Sequence, residues 1–415
     1  MNKKVMALAI AGAFTVPTAA FAQASNVQIF GTMYMEYGYF HQGSKVPAAV
    51  GGVSQGDLVN IDVLQSPGSE VGVKGEEALG GGNAVWFQCA TTADIRGFSQ
   101  NGLCSRNSAI GLKGSWGNAF VGNWDSPMKA TIGAARIVSD TGLWGAGPML
   151  FGNSSTFNDN ASSFAWSRRQ NNSISYHSPV FSGFQVLGMV STPSTAVGLT
   201  TNASGGKPRL YSLAARYSNG PLMLTAGYEQ HTNFAPAGAA STAQTGGALV
   251  GVNTSYTGSD NAWQVGGTYQ IGPVKAGLVY TEQKYDMGVQ TGVGTDAKVS
   301  AWNLAGEWAI VGPHALRGGY TKANNTKGNF CAAGQFAAGA QCIVGNRVYN
   351  GGGGGTGGTI WQVQYIYNAS KRTEMTVGYA RVQNDANARY SLGGITAPQA
   401  GQNQDGFGVS IKNTF

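Results

Sequence analysis

Charge is scarce in this chain. Asp, Glu, Lys and Arg make up 11% of its 415 residues, against about 25% in a typical soluble domain. Long apolar runs are missing too: residues 5–16 come nearest, and they fall short of the roughly 18 residues a membrane-spanning helix needs. Glycine does not recur at every third position, which excludes a collagen-like fibre. High net charge with few aromatics, the mark of disorder, is also absent. The four histidines, His41, His177, His231 and His314, are scattered. Gly-x-Ser-x-Gly, His-Glu-x-x-His and the Walker loop do not occur, so no catalytic, metal-binding or cofactor-binding residue is expected. Glycine is abundant instead, at 64 residues, and aromatics reach 10%, while mean hydropathy is only −0.12. An all-β chain with short apolar stretches remains.

The first residues point to export. Asn2-Lys3-Lys4 is a positive segment, Val5–Val16 a short apolar one, and Ala20-Phe21-Ala22 a small-x-small cleavage site before Gln23. Residues 1–22 therefore read as a signal peptide. Removing 22 residues from 415 leaves 393, and the loss of Lys3 and Lys4 takes the net charge from +7 to +5. Basic residues do not cluster in a stripe, so no nucleic-acid partner is expected. Four cysteines in an exported chain allow three pairings. Cys89–Cys104 and Cys331–Cys342 are favoured, because each pair flanks a polar loop.

Period-2 alternation dominates the rest. Phe407, Val409, Ile411 and Phe415 share one face, and Gly408, Ser410, Lys412 and Thr414 the other. Trp361, Val363, Tyr365 and Tyr367 alternate in the same way with polar partners, as do Tyr211, Leu213, Ala215 and Tyr217. Tight turns punctuate these strands: Ser178-Pro179 to Gly183, Asn219-Gly220-Pro221, Gly272-Pro273, Gly312-Pro313 and Ala369-Ser370-Lys371. Short turns at one end, long polar loops at the other and aromatics beside the turns describe a transmembrane antiparallel β-barrel. Closure would satisfy every backbone group in lipid, which no open sheet can do. Sixteen strands are expected, starting near residues 27, 68, 83, 106, 118, 169, 184, 209, 221, 261, 274, 298, 314, 359, 372 and 405. Residues 246–258 are a further strand or part of a long loop. A barrel of this size leaves an aqueous channel, whereas 393 residues leave no room for 22 strands and a plug.

The segment 124–168 shows no strand pattern and is long enough to be functional. It holds Trp124, Asp125, Lys129, Arg136, Asp140, Trp144 and Trp166, with apolar stretches that favour packing inside the lumen. Parity then sorts the charges. With Val71 and Val73 facing lipid, Glu70 and Lys74 face inward. With Ile174 and Tyr176 facing lipid, Arg169 faces inward. By the same rule Glu36, Lys113, Arg216, Glu229, Lys275, Glu307, Arg317, Glu374 and Lys412 line the lumen, giving seven basic and five acidic residues. Lys74 and Arg169 are expected to matter most, opposed by Asp125, Asp140, Lys129 and Arg136 on the loop.

The ordered motifs resemble the general porins of Gram-negative bacteria, of the β-proteobacterial type. Ser25–Gly31 resembles their opening strand, and Ser69–Gly80 their second strand and first turn. Ala109–Gly114 with Val121–Asp125 resembles the pair leading into the constriction loop, and Arg169–Pro179 the strand leaving it. The resemblance implies a homotrimeric pore with its third loop folded inward and a transverse field across the narrowing. Its implied partners are outer-membrane lipid and lipopolysaccharide, the barrel assembly machinery, to which Phe415 would be presented, and small hydrophilic solutes. Glu70 and Asn123 stand where the family often has Arg, and Ala90 where a carboxylate is common. The strong anion selectivity of some relatives is therefore not carried over; the small excess of seven inward basic over five acidic residues and the +5 charge of the mature chain predict a mild anion preference. The alternatives are an adhesive or structural barrel using the loops 41–66 and 323–358, and an outer-membrane hydrolase with a site built from scattered loop residues.

Overall fold

The computed structural model describes residues 26–42, 60–97, 102–139, 141–151, 166–192, 209–232, 259–286, 296–328, 342–344, 347–349, 354–393, 398 and 400–415. Sixteen antiparallel strands form one closed barrel. They are β1 Gln28–Gln42, β2 Asn60–Gln65 with Glu70–Gly80, β3 Asn83–Thr92, β4 Ser108–Gly114, β5 Gly117–Asp125, β6 Arg169–His177, β7 Phe184–Ser191 and β8 Arg209–Asn219. The remaining eight are β9 Leu222–Thr232, β10 Ser259–Ile271, β11 Val274–Asp286, β12 Asp296–Val311, β13 His314–Ala323 with a short extension Lys327–Gly328, β14 Gly358–Asn368, β15 Thr373–Asn384 and β16 Gln404–Thr414. The seam closes where β1 pairs with β16, Thr32 facing Thr414 and Gln42 facing Gln404. A separate hairpin joins Cys342–Val344 to Arg347–Tyr349.

Fifteen of the expected starts lie within two residues of the observed ones. The second strand is the exception, beginning at Asn60 rather than near 68. Ser66-Pro67-Gly68-Ser69 reads as a strand boundary, since Pro67 has no N–H and Gly68 lies at φ 84°. The strand nevertheless keeps its neighbour, pairing with β1 on both sides of the break. Ser69 bridges the gap: its Oγ accepts from Tyr34 N at 2.9 Å and donates to Tyr34 O at 3.0 Å. Residues 246–258 lie outside the described residues.

The short turns follow from local chemistry. Gly220-Pro221, Gly272-Pro273 and Gly312-Pro313 each join two strands, and the three glycines lie at φ 54°, 55° and 57°. A primed hairpin turn demands this of its first central residue, and only glycine adopts it without steric cost. Period-2 alternation then sorts the faces in the inverse of a soluble protein. Val71, Val73, Ile110, Leu112, Ile174, Leu213, Leu304, Val363, Val409 and Ile411 are exposed, while Ser212, Gln264, Asn303, Gln362 and Gln364 are buried. Leaving one such side chain in water costs about 1.5–3 kcal/mol, so the outer face requires an apolar solvent.

Between β5 and β6 the chain turns into the barrel. Helix α1, Pro127–Ala135, starts at Ser126, whose Oγ accepts from Lys129 N at 3.3 Å, and carries Pro127 in its first turn. A second short helix, α2, spans Gly147–Phe151. Met128, Ile132, Leu143, Trp144, Met149, Leu150, Phe151 and Trp166 bury themselves against Ala262, Val299, Ala301, Ile360, Ala380 and Val382 of the wall. The wall makes room with small residues. A Cβ on Gly408 would lie 2.2 Å from Leu143 Cδ1, and one on Gly38 2.7 Å from Leu143 Cδ2.

Polar anchors complete the docking. Thr281 Oγ1 and Gln283 Nε2 donate to Leu150 O at 2.8 and 2.6 Å. Gln264 Nε2 donates to Thr131 Oγ1 at 2.6 Å, and Trp166 Nε1 to the Tyr285 hydroxyl at 2.9 Å. The described parts of the inward-folded loop are thus packed against the wall, whose side chains also hold backbone groups of Leu143 and Leu150.

Cys89 and Cys104 are joined by a disulfide, which chain entropy makes worth roughly 3 kcal/mol. Cys331 and the Cys342 side chain lie outside the described residues, so the second pairing stays an expectation.

Candidate functional site: a charged cluster at the root of the inward loop

Where the loop leaves the wall, five charged side chains meet on the lumen side. Asp125 closes β5. Its Oδ1 lies 2.9 Å from Lys129 Nζ on α1 and 3.1 Å from Arg169 Nη2 on β6. Asn107 Nδ2 donates to Asp125 Oδ2 at 3.0 Å, and Asn107 Oδ1 accepts from Arg169 Nε at 2.7 Å and from Asp125 N at 3.0 Å. Beside them Arg106 Nε lies 2.5 Å from Glu70 Oε2. Three cations thus face two carboxylates, leaving one net positive charge. All five side chains are 18–28% exposed, so they border water. Burial pulls the Lys129 ammonium below its ordinary range. Asp125 opposes that shift.

Local backbone geometry brings these residues together. β5 and β6 pair with a register shift between Gly122 and Trp124, and this bulge re-aims Asp125 beside Arg169. Asn123 donates through its amide to Ser105 O at 3.2 Å and Arg106 O at 3.0 Å. Asn123 thus clamps the segment that carries Arg106.

Of the residues predicted from sequence, Glu70, Asp125, Lys129 and Arg169 converge here. Lys74 does not. It lies on the same face of β2 as Glu70 but four residues nearer the short-turn end, about 13 Å along the strand, with its ammonium 5.3 Å over the Phe30 ring. Lys113 also lies apart, paired with Glu76 at 2.5 Å near the short turns. Arg136 ends α1 with its guanidinium 5.8 Å over the Phe151 ring. Burial lowers it to about 10, so it stays charged at neutral pH. Asp140 lies outside the described residues.

Glu36 does not line the channel. It points inward as parity requires, but it is 1% exposed beneath the loop. Its carboxylate accepts from Leu143 N at 2.7 Å, from Gln65 Nε2 at 2.9 Å and from the Tyr34 hydroxyl. Glu229 is covered in the same way. It lies 3.0 Å from His231 Nε2, and Trp166 of the loop stacks on His231 at 4.1 Å. Both carboxylates hold loop or wall in place. A second inward cluster, Arg317 with Glu307 at 2.7 Å and Glu374 at 3.9 Å, lies toward the short-turn end.

Arg106 and Asn107 escape the parity rule because they precede the regular part of β4. Their signal in the sequence is their place between Cys104 and the strand.

A closed barrel with an apolar outer belt, a polar interior and a docked inner loop bearing opposed charges is a transmembrane β-barrel of the outer-membrane type. The chain belongs to the Gram-negative porin family, which it matches over residues 7–387. It is 29% identical over 237 residues to the major outer membrane protein P.IB of Neisseria meningitidis, a match covering 56% of this chain and 60% of that protein. It is 25% identical, over the full length of both chains, to outer membrane porin protein 32 of Delftia acidovorans. Among solved structures, its fold is similar to that of an anion-selective porin from Comamonas acidovorans, with 19% identity, a TM-score of 0.66 and coverage of 94% and 100% of the two chains. OmpT of Vibrio cholerae in its trimer form is similar at 16% identity, a TM-score of 0.59 and coverage of 95% and 100%.

Proposed function

We propose that this protein forms a water-filled channel for passive diffusion of small hydrophilic solutes and ions across the outer membrane, with a mild preference for anions. The cationic excess at the root of the inward loop carries the reading: Arg106, Lys129 and Arg169 face Glu70 and Asp125 where the loop narrows the lumen. An ion passing that point sheds part of its water and feels these charges with little screening. The excess is one charge, so the preference is a bias and not a filter. The anion-selective neighbour supports the sign. The work needs no bond chemistry and no cofactor.

Residues 1–22 serve as the signal peptide, residues 23–415 form the barrel domain, and the segment near 124–168 is its constriction loop. Three such barrels assemble, as the trimeric neighbour suggests. Phe415 exchanges backbone hydrogen bonds with Gly31 at 3.0 Å in both directions, so the terminal aromatic that the assembly machinery would read also closes the seam. The test is a single-channel recording in a KCl gradient. Stepwise openings with a reversal potential on the anion side are expected. Electrical silence of purified, heat-modifiable barrel would overturn the channel, and a cation-side potential would overturn the selectivity.

A further inference from the structure

The Cys89–Cys104 disulfide lies behind the charged cluster, on the opposite face of the wall. On β3, Gln88, Ala90 and Thr92 pair with Lys74, Gly72 and Glu70, which face the lumen, while Cys89 and Thr91 pair with Val73 and Val71, which face lipid. The regular ladder between β3 and β4 stops at Gln88 and Ala109. Beyond it, residues 104–108 lie along β3 largely through side chains. Ala90 N donates to Ser108 Oγ at 3.0 Å, and Ser108 Oγ donates to Ala90 O at 3.3 Å. Thr92 N donates to Ser105 Oγ at 3.3 Å, and Cys104 N to Thr91 Oγ1 at 3.0 Å. The backbone adds Arg106 N to Ala90 O at 2.9 Å.

Cys104 itself lies at φ 59°, a left-handed conformation that persists in a non-glycine residue when its surroundings over-determine it. From this irregular stretch Arg106 and Asn107 reach through to the lumen side, Arg106 to Glu70 and Asn107 to Asp125 and Arg169. A segment held by hydroxyl groups, one backbone bond and the Asn123 amide has no regular ladder to fix its register. The tie to Cys89 adds a covalent fixed point.

We propose that the Cys89–Cys104 disulfide is a selectivity-determining staple: it fixes residues 104–108 from the lipid-facing side and thereby holds Arg106 and Asn107 in the cationic cluster of the channel. This rests on the channel reading above. Cys89 and Cys104 are positioning residues, and no permeating ion meets them. With the bridge open, the segment loses its covalent anchor, the remaining contacts from Asn123 and Ala90 do not fix its register, and Arg106 leaves its place beside Glu70. The cluster then falls from one net positive charge to none at the narrowing. Loss of one unit charge about 6 Å from the ion path changes the anion-to-cation permeability ratio by roughly three- to fourfold at 0.1 M salt.

The experiment records reversal potentials of single channels in a KCl gradient, in a background with Cys331→Ser and Cys342→Ser so that Cys89–Cys104 is the bridge under test. The same inserted channels are measured before and after addition of a phosphine reductant, with thiol labelling to show that the bridge has opened. Arg106→Gln and Cys89→Ser/Cys104→Ser are measured alongside. A roughly three- to fourfold drop in anion preference on reduction is expected, matched by Arg106→Gln, with no added effect of reductant on either variant. If the bridge opens and selectivity holds while Arg106→Gln shifts it, the staple is refuted and the cationic cluster stands. If Arg106→Gln shifts nothing, the cluster reading falls and the staple with it. Should the serine variant fail to assemble, reduction of channels already inserted still separates these outcomes.

Discussion

Reversing the charge of Arg169 should turn the channel toward cations far more than reversing that of Lys74. Both face inward, and parity treats them alike, but the structure separates them. Arg169 touches Asp125 at the root of the loop, whereas Lys74 lies about 13 Å nearer the short turns. Take an ion roughly 6 Å from Arg169 in a water-filled lumen at 0.1 M salt. The screened interaction is about 0.4 kcal/mol per unit charge. Arg169→Glu changes the charge by two units, so each ion type shifts by about 0.8 kcal/mol in opposite senses, and the anion-to-cation ratio moves by roughly an order of magnitude. Arg169→Gln should move it by about three- to fourfold. For Lys74→Glu, at about 13 Å from the same ion, the ratio should move by less than about twofold. The assay is the reversal potential in a KCl gradient, repeated near 1 M salt, where the Debye length falls to about 3 Å and the Arg169→Glu effect should shrink to about twofold. Equal shifts from Lys74→Glu and Arg169→Glu, or a shift that ignores salt, would refute control by the charged cluster.

Four further outcomes follow from the packing. Glu36→Ala removes the carboxylate that accepts from Leu143 N, a hydrogen bond to a charged group worth about 1.5–3 kcal/mol; noisy, higher conductance in a barrel that still shows heat modifiability is expected, and a quiet wild-type trace would show that the loop needs no such latch. Gly408→Ala places a methyl 2.2 Å from Leu143 Cδ1 and should disturb the loop, with conductance returning toward wild type when Leu143→Ala is added; failure of that rescue would place the clash elsewhere. Deleting Phe415 removes the backbone pairing with Gly31 and should lower the outer-membrane level of folded barrel without impairing export, read by fractionation. Non-reducing peptide mapping should recover a Cys331–Cys342 link beside Cys89–Cys104, and free thiols at 331 and 342 would contradict the pairing.

Local rules carried most of the architecture. Strand alternation depends on residues two apart, and a Gly-Pro turn on two residues, so β3, β6, β7, β8, β11 and β13 begin where pattern and turn chemistry place them. The inversion of faces was legible too, because scarce charge and short apolar alternation suit a wall between lipid and water. The one misplaced boundary, in β2, came from Pro67 and Gly68, which signal a strand end locally, while pairing with β1 continues across them.

Tertiary structure alone decided which inward side chains meet water. Glu36 and Glu229 obey the same parity as Glu70, yet the loop covers them and leaves Glu70 open, because Leu143 and Trp166 dock on particular patches of wall. The Leu143–Glu36 contact joins residues 107 positions apart, beyond the reach of any periodicity. Arg106 shows the converse. No alternation assigns it a face, since it precedes the regular strand, and a disulfide on the far side of the wall together with the clamp from Asn123 brings it to the lumen. Sequence by itself determined the barrel and the sign of its faces, since both arise from short-range covalent geometry and solvent preference. The charge pattern at the narrowing depends on contacts between segments that the chain brings together only when the barrel closes.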